Sequence, residues 1–157
     1  MKILLYSVIG LLVIIGLYFL GLSVSSRKPP DLGMLNDQLR TCPATPNCVS
    51  SERQDTEAYI EPLKVTATTN DAWNEAWKNA KQAVTENGGE VVTERADYFH
   101  ARFVTPLMRY IDDVELRIDK DNQLIHIRSA SRIGHSDFGA NRKRVTKIRM
   151  TYLEKSE

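Results

Sequence analysis

From Ile3 to Leu22 the chain runs without one charged side chain: Ile3-Leu4-Leu5-Tyr6-Ser7-Val8-Ile9-Gly10-Leu11-Leu12-Val13-Ile14-Ile15-Gly16-Leu17-Tyr18-Phe19-Leu20-Gly21-Leu22. A helix of about 20 such residues covers the ~30 Å hydrocarbon core of a bilayer. The apolar cores of cleaved signal peptides usually span only about 7–15 residues. The length therefore favours a retained transmembrane anchor over residues 1–24. The alternative is a cleaved leader, for which Ser23-Val24-Ser25 offers a small-residue cleavage site. No cysteine closes the apolar run, so a lipoprotein acceptor is missing there. Charge does not orient the anchor. Lys2 stands on one side and Arg27 and Lys28 on the other, which leaves the positive-inside rule nearly tied.

Cysteine usage breaks the tie. The only two cysteines, Cys42 and Cys48, bracket Pro43-Ala44-Thr45-Pro46-Asn47. In an exported domain such a pair reads as a disulfide, the alternative being two buried free thiols. Closing so short a loop adds about 2–3 kcal/mol at most, so its use is to fix the loop's shape. No CxxC or nearby histidine completes a zinc set. The soluble part is thus expected on the extracytoplasmic, periplasmic face of an inner membrane crossed once.

The remaining length suits one domain. A formal net charge of +1 over 157 residues provides no field for nucleic acid, and the envelope compartment disfavours it further. Residues 25–57 read as a linker followed by the cysteine loop, with Ser25-Ser26, Pro29-Pro30 and Gly33 breaking any period. The folded body is expected over residues 58–157. Tyr59 to Ala67 reads as a strand demoted by Pro62. Asn70 to Asn87 reads as a helix capped by Asn70, with Trp73, Ala76, Trp77, Ala80 and Val84 at core spacing and Gly88-Gly89 as its stop. Glu90–Arg95, Tyr98–Thr105, Arg109–Ile118 and Leu124–Ile133 read as strands joined by turns at Ala96-Asp97 and Lys120–Gln123. Asp137 to Leu153 reads as a final helix with Phe138, Asn141, Val145, Ile148 and Tyr152 in period. A strand from Val145 to Leu153 is the alternative. The fold class is therefore α+β, an antiparallel sheet of about five strands with two helices on one face, in the order β-α-β-β-β-β-α behind the transmembrane helix.

Register carries the argument to a site. Pairing Ile118 with Ile125 sets Leu116 against Ile127, Val114 against Ser129 and Asp112 against Ser131. It also puts Glu115 across from Arg128 on the other face, a cross-strand pair worth about 0.2–1 kcal/mol. The helix-side face thus turns from apolar to polar at Asp112, Ser129 and Ser131. The last helix does the same at Asn141, beside Arg144. These groups are expected to converge where sheet meets helix, since a polar group buried without a partner costs about 1–3 kcal/mol. The cluster reads either as a structural network or, with Arg128, Arg132 and the open N–H groups of the last helix, as a pocket for a small anionic ligand. An enzyme using Asp112 or Asp113 with Ser129 or Ser131 is a third reading, weakened because sequential carboxylates on a strand face opposite ways. His100, His126 and His135 lack ligand spacing, no nucleotide loop is present, and neither a metal nor a cofactor is expected. Arg142, Lys143, Arg144, Lys147 and Arg149 form a basic last helix, read as a solvated face or as a contact for anionic lipid.

Several of these segments carry a resemblance: Cys42-Pro43-x-x-Pro46-Asn47-Cys48-Val49-Ser50-Ser51, Asp112-Asp113-Val114-Glu115, Arg128-Ser129-x-Ser131-Arg132-x-Gly134 and Asp137-x-Gly139-x-Asn141-Arg142-x-Arg144. Together they resemble the uncharacterised family called domain of unknown function 1499, from Cys42 to the C-terminus. The resemblance implies an envelope or plastid setting behind an export signal, and it implies no reaction. The expected function is an envelope domain that binds a ligand, a lipid or an envelope protein through the polar cluster and the adjacent cysteine loop. Gly134 and Gly139 would let backbone approach that ligand.

Overall fold

The computed structural model describes residues 2–156. Helix α1 (Lys2–Ser26) is long and apolar enough to cross a membrane, and its residues 2–21 are exposed. Then come β1 (Met34–Leu35), β2 (Gln38–Leu39), β3 (Cys48–Ser50), β4 (Leu63–Lys64), α2 (Asn70–Glu86), β5 (Glu90–Glu94), β6 (Tyr98–Val104), β7 (Ile111–Asp119), β8 (Leu124–Ser131) and α3 (Ala140–Ser156). The class is α+β as expected. The main sheet runs β3-β8-β7-β6-β5, with β4 also pairing with β8, and every ladder in it is antiparallel.

The expected register of the long hairpin holds residue for residue, Ile118 on Ile125 through Asp112 on Ser131. It holds because only this pairing keeps Val114, Leu116, Ile125 and Ile127 together in the core. Helices α2 and α3 cover that face. Trp73, Trp77, Ala80, Ala83 and Val84 of α2 pack with Val145, Ile148 and Tyr152 of α3 against the strands. Gly89 follows α2 where the chain folds back on the last turn of the helix and meets β6, since a Cβ there would lie 2.8 Å from Val84 Cγ1 and 3.1 Å from the Phe103 ring.

Several expectations are corrected. Thr69, not Asn70, caps α2, its hydroxyl accepting from the Ala72 N–H. The strand expected over Tyr59–Ala67 is reduced to Leu63-Lys64, since Pro62 cannot donate to a ladder. The last segment is a helix and not a strand. The sheet reaches upstream of the expected start at residue 58, because Cys48–Ser50 adds a sixth strand beside β8.

The linker is structured as well. Asn36 and Asp37, at φ +52 and +59, make the two-residue turn that joins β1 to β2. Residues 23–39, together with Glu52, lie over the second face of the sheet. His100, Asp113, Glu115, Arg117, His126 and Arg128 on that face are consequently buried rather than wet. Their partners arrive from the covering segment. Gly33 N–H donates to Glu115 at 2.9 Å, Arg117 donates twice to Glu52 at 2.7 and 3.0 Å, and Arg132 reaches the end of α1.

Candidate functional site

Strand alternation and helical spacing do bring Asp112, Ser129, Ser131, Asn141 and Arg144 together. Arg144 donates to Asp112 at 2.6 Å and to Ser129 Oγ at 3.1 Å, and it also bonds Asn141 Oδ1. Ser129 donates to Asn141 at 2.6 Å. The Asn141 amide in turn donates to the Asn47 carbonyl at 2.9 Å and to Ser131 Oγ at 3.1 Å. The Arg144 guanidinium also lies 4.7 Å from the centre of the Phe103 ring. Every polar group of the cluster thus has a partner inside it, and Ser129 and Asn141 are fully enclosed. The network ties α3, β7, β8 and the cysteine loop into one unit. Asp112→Ala leaves Arg144 without its carboxylate and is expected to lower unfolding free energy by about 1–3 kcal/mol. An unchanged urea midpoint in that variant would contradict the burial.

Two residues expected in the cluster stand elsewhere. Arg128 and Arg132 point to the opposite face, as their odd strand positions relative to Ser129 and Ser131 require. Arg128 donates to Glu115 at 2.8 Å. Glu115 also accepts from the Tyr98 hydroxyl at 2.7 Å, whose own ionisation is pushed far up by burial and by the Glu115 charge. Arg132 makes a two-pronged bond to Asp113, both arms at 2.7 Å, and His100 lies 2.7 Å from the same carboxylate. Burial works against ionised Asp113, but the bonds from Arg132 and His100 outweigh it and hold the carboxyl below its ordinary range.

Farther along this face Ser51 Oγ lies 3.0 Å from His126 Nδ1, with His126 Nε2 3.5 Å from Asp119. The order serine, histidine, aspartate invites a nucleophile reading. Ser51 Oγ, however, already accepts the Ile127 N–H at 2.9 Å and is 4% exposed. It therefore holds strand and loop together, and no substrate can reach it. Burial lowers the His126 pKa, opposed chiefly by the Glu52 charge. The sign follows from proton binding. The folded ring holds a proton less tightly than the unfolded one, so its stabilisation is full above the ordinary value of 6.5 and drains as pH falls below it. Asp113 adds a second loss below its ordinary 3.8. Urea midpoints are expected to drop as pH falls from about 6.5 to about 5, and His126→Asn should flatten that first drop. A midpoint that does not move over this interval in the unmodified chain would contradict the assignment.

A concavity lies beside the polar cluster, at the cysteine loop. Cys42 and Cys48 are joined as a disulfide, Cα to Cα 5.6 Å. Together with the 50–58 loop and the start of α3 they enclose a cleft of about 530 Å³. Pro43, Ala44, Pro46, Val49 and Ala58 give it apolar walls, and Arg53, Glu57, Asp137 and Arg142 ring it with charge. Arg142 pins the far wall by donating to the carbonyls of Tyr59 at 3.0 Å and Glu57 at 2.9 Å. The start of α3 is not an open anion site, because Asp137 already accepts the N–H groups of Gly139 and Asn141 at 2.9 and 2.6 Å. Gly134 and Gly139 are required by positive φ, +87 and +77. Of the basic residues on α3, Arg142, Arg144, Arg149 and Lys155 are spent on bonds within the protein, which leaves Lys143 and Lys147 to solvent. Sequence reasoning named the cysteine loop but not the 50–58 segment. The signal was a Ser/Thr-rich coil directly behind a two-proline disulfide loop.

A family model described as Protein of unknown function (DUF1499) matches residues 38–151, which takes in the cysteine loop, both polar faces and most of α3. No curated protein matches the chain.

Proposed function

The chain belongs to the DUF1499 family of proteins of unknown function, and because membership prescribes no reaction, we propose from the geometry that it is a membrane-tethered envelope domain binding a small ligand in the cleft under its disulfide loop. The cleft itself carries this reading. At about 530 Å³ it lies within the ~300–1,000 Å³ typical of small-molecule sites. Its walls are prolines, alanines, a valine and a disulfide, and such groups cost little entropy to order. The ligand is therefore largely apolar, with a polar end for the mixed-charge rim of Arg53, Glu57 and Asp137. The disulfide supports an extracytoplasmic compartment, since such bonds persist in oxidising surroundings. On this reading α1 crosses the inner membrane once and the body stands on its periplasmic side. The polar cluster of Asp112, Ser129, Ser131, Asn141 and Arg144 acts as the back support that holds the cysteine loop by its Asn47 carbonyl.

The test uses the full chain purified in detergent, with untargeted mass spectrometry of the small molecules and lipids that travel with it. Ala44→Trp and Ala58→Trp each fill the cleft from a different wall. A species carried by the unmodified protein is expected to be lost from both variants. Identical sets of molecules on all three proteins would rule out the cleft as the binding site.

A further inference from the structure

The path of the chain over the sheet shows which end of the body faces the anchor. Arg132, gripped by Asp113, donates to the carbonyls of Ser26 at 3.2 Å and Arg27 at 3.4 Å. Ser23 and Ser26 are buried in this junction. The chain then passes Gly33, bonded to Glu115, and reaches Leu39, whose N–H donates at 2.9 Å to Glu52, the partner of Arg117. The contacts thus step from 113 to 115 to 117, away from the start of β7. Helix α1 must enter from the end where β7 begins and β8 finishes.

That end of the sheet carries the 105–110 loop, the 132–139 loop and the cysteine loop. Arg132 N–H bonds the Ile111 carbonyl there, and Cys48 pairs with Ala130. On two of these loops stand the two most exposed large apolar side chains of the body, Leu107 at 84% and Phe138 at 91% exposure. A lone exposed apolar residue is ordinary. Two of them on the loop tips at the end where a membrane-length helix arrives are not accounted for by chance exposure. Phe138 is also held at φ +53, a conformation a ring-bearing residue adopts at a cost. Ser136 Oγ accepts its N–H at 3.3 Å, and Asp137 accepts the next one at 2.9 Å. The turn is fixed with the ring outward.

We propose that Leu107 and Phe138 are wedges seated in the headgroup region of the bilayer that holds α1, so that the body rests on the membrane through its 105–110 and 132–139 loops. The occupant is the lipid surface, chosen because the anchor delivers these tips to it. Apolar groups on a tethered body partition there without a diffusional search. The inference rests on the anchor part of the reading above and is independent of the cleft.

The test places a single environment-sensitive NBD label on the full chain in phosphatidylcholine vesicles, using Leu107→Cys, Phe138→Cys and, at the opposite end of the sheet, Asp121→Cys. The native cysteines are joined and do not react. Labels at 107 and 138 are expected to emit blue-shifted light and to be quenched by lipids spin-labelled near the headgroup, while the label at 121 behaves as in water. Vesicles that float with the protein but leave all three labels equally wet would overturn the wedge proposal and spare the anchor. Protein that fails to float, or that alkaline carbonate strips from the vesicles, would overturn both.

Discussion

Glu115→Ala is expected to cost about 3–5 kcal/mol of unfolding free energy, a large share of what a domain of this size has to lose. The carboxylate is wholly buried and holds three donors at once: Arg128, the Tyr98 hydroxyl and the Gly33 N–H. Removing it leaves a guanidinium enclosed in protein with no counter-charge, and it cuts the bond that fastens the residue 33 region to the sheet. The comparison that identifies the cause is a double variant, Glu115→Leu with Arg128→Met. A buried ion pair replaced whole by apolar groups is often near neutral, so the double variant should be more stable than Glu115→Ala alone. Urea unfolding followed by the fluorescence of Trp73 and Trp77, both in the core, reads the difference. A loss under about 1 kcal/mol would mean that water reaches the pair, as at an exposed salt bridge.

Asp113→Ala is expected to cost a similar amount, about 3–5 kcal/mol, and to do something the first variant does not. Asp113 anchors Arg132, which in turn caps the carbonyl end of α1. Without the carboxylate the guanidinium has no fixed place, and the favourable charge at the helix C-terminus is lost with it. Amide hydrogen exchange over residues 23–33 should accelerate strongly. Asp112, its immediate neighbour in sequence, faces the other side of the sheet and holds Arg144. Asp112→Ala should therefore leave exchange over 23–33 unchanged. Equal protection of that segment in both variants would refute the separation of roles.

These two residues also mark where sequence reasoning stops. Asp112, Ser129, Ser131, Asn141 and Arg144 were legible because apolar alternation in β7 and β8 and the helical period in α3 fix which way each points, whatever lies beyond. Arg128 and Arg132 were assigned to the same site although the same alternation turns them away, and the structure seats them with Glu115 and Asp113. The burial of that second face was not legible at all. Glutamate, arginine and histidine on alternate positions read as a wet surface, and only distant partners such as Glu52 for Arg117 reverse that. No periodicity links residue 52 to residue 117. The covering segment was hidden for a related reason. Its two-residue strands β1 and β2 are too short to show a pattern, although Asn36-Asp37 is a fair hairpin-turn signal. The cleft followed the same logic. Its disulfide was expected, but its far wall depends on Arg142 reaching two carbonyls more than eighty positions away.

Arg132 holds the carbonyls of Ser26 and Arg27, where α1 ends, and so ties the helix to the sheet at its exit. A slack leash would let the body take any angle about its helix, whereas a hydrogen-bonded junction restricts those angles. On the anchor reading, a roll or tilt of the helix reaches the sheet through this junction. On the reading of α1 as a membrane anchor, the Arg132 junction, with Ser23 and Ser26 buried beside it, helps to set the heading of the cysteine loop relative to the membrane.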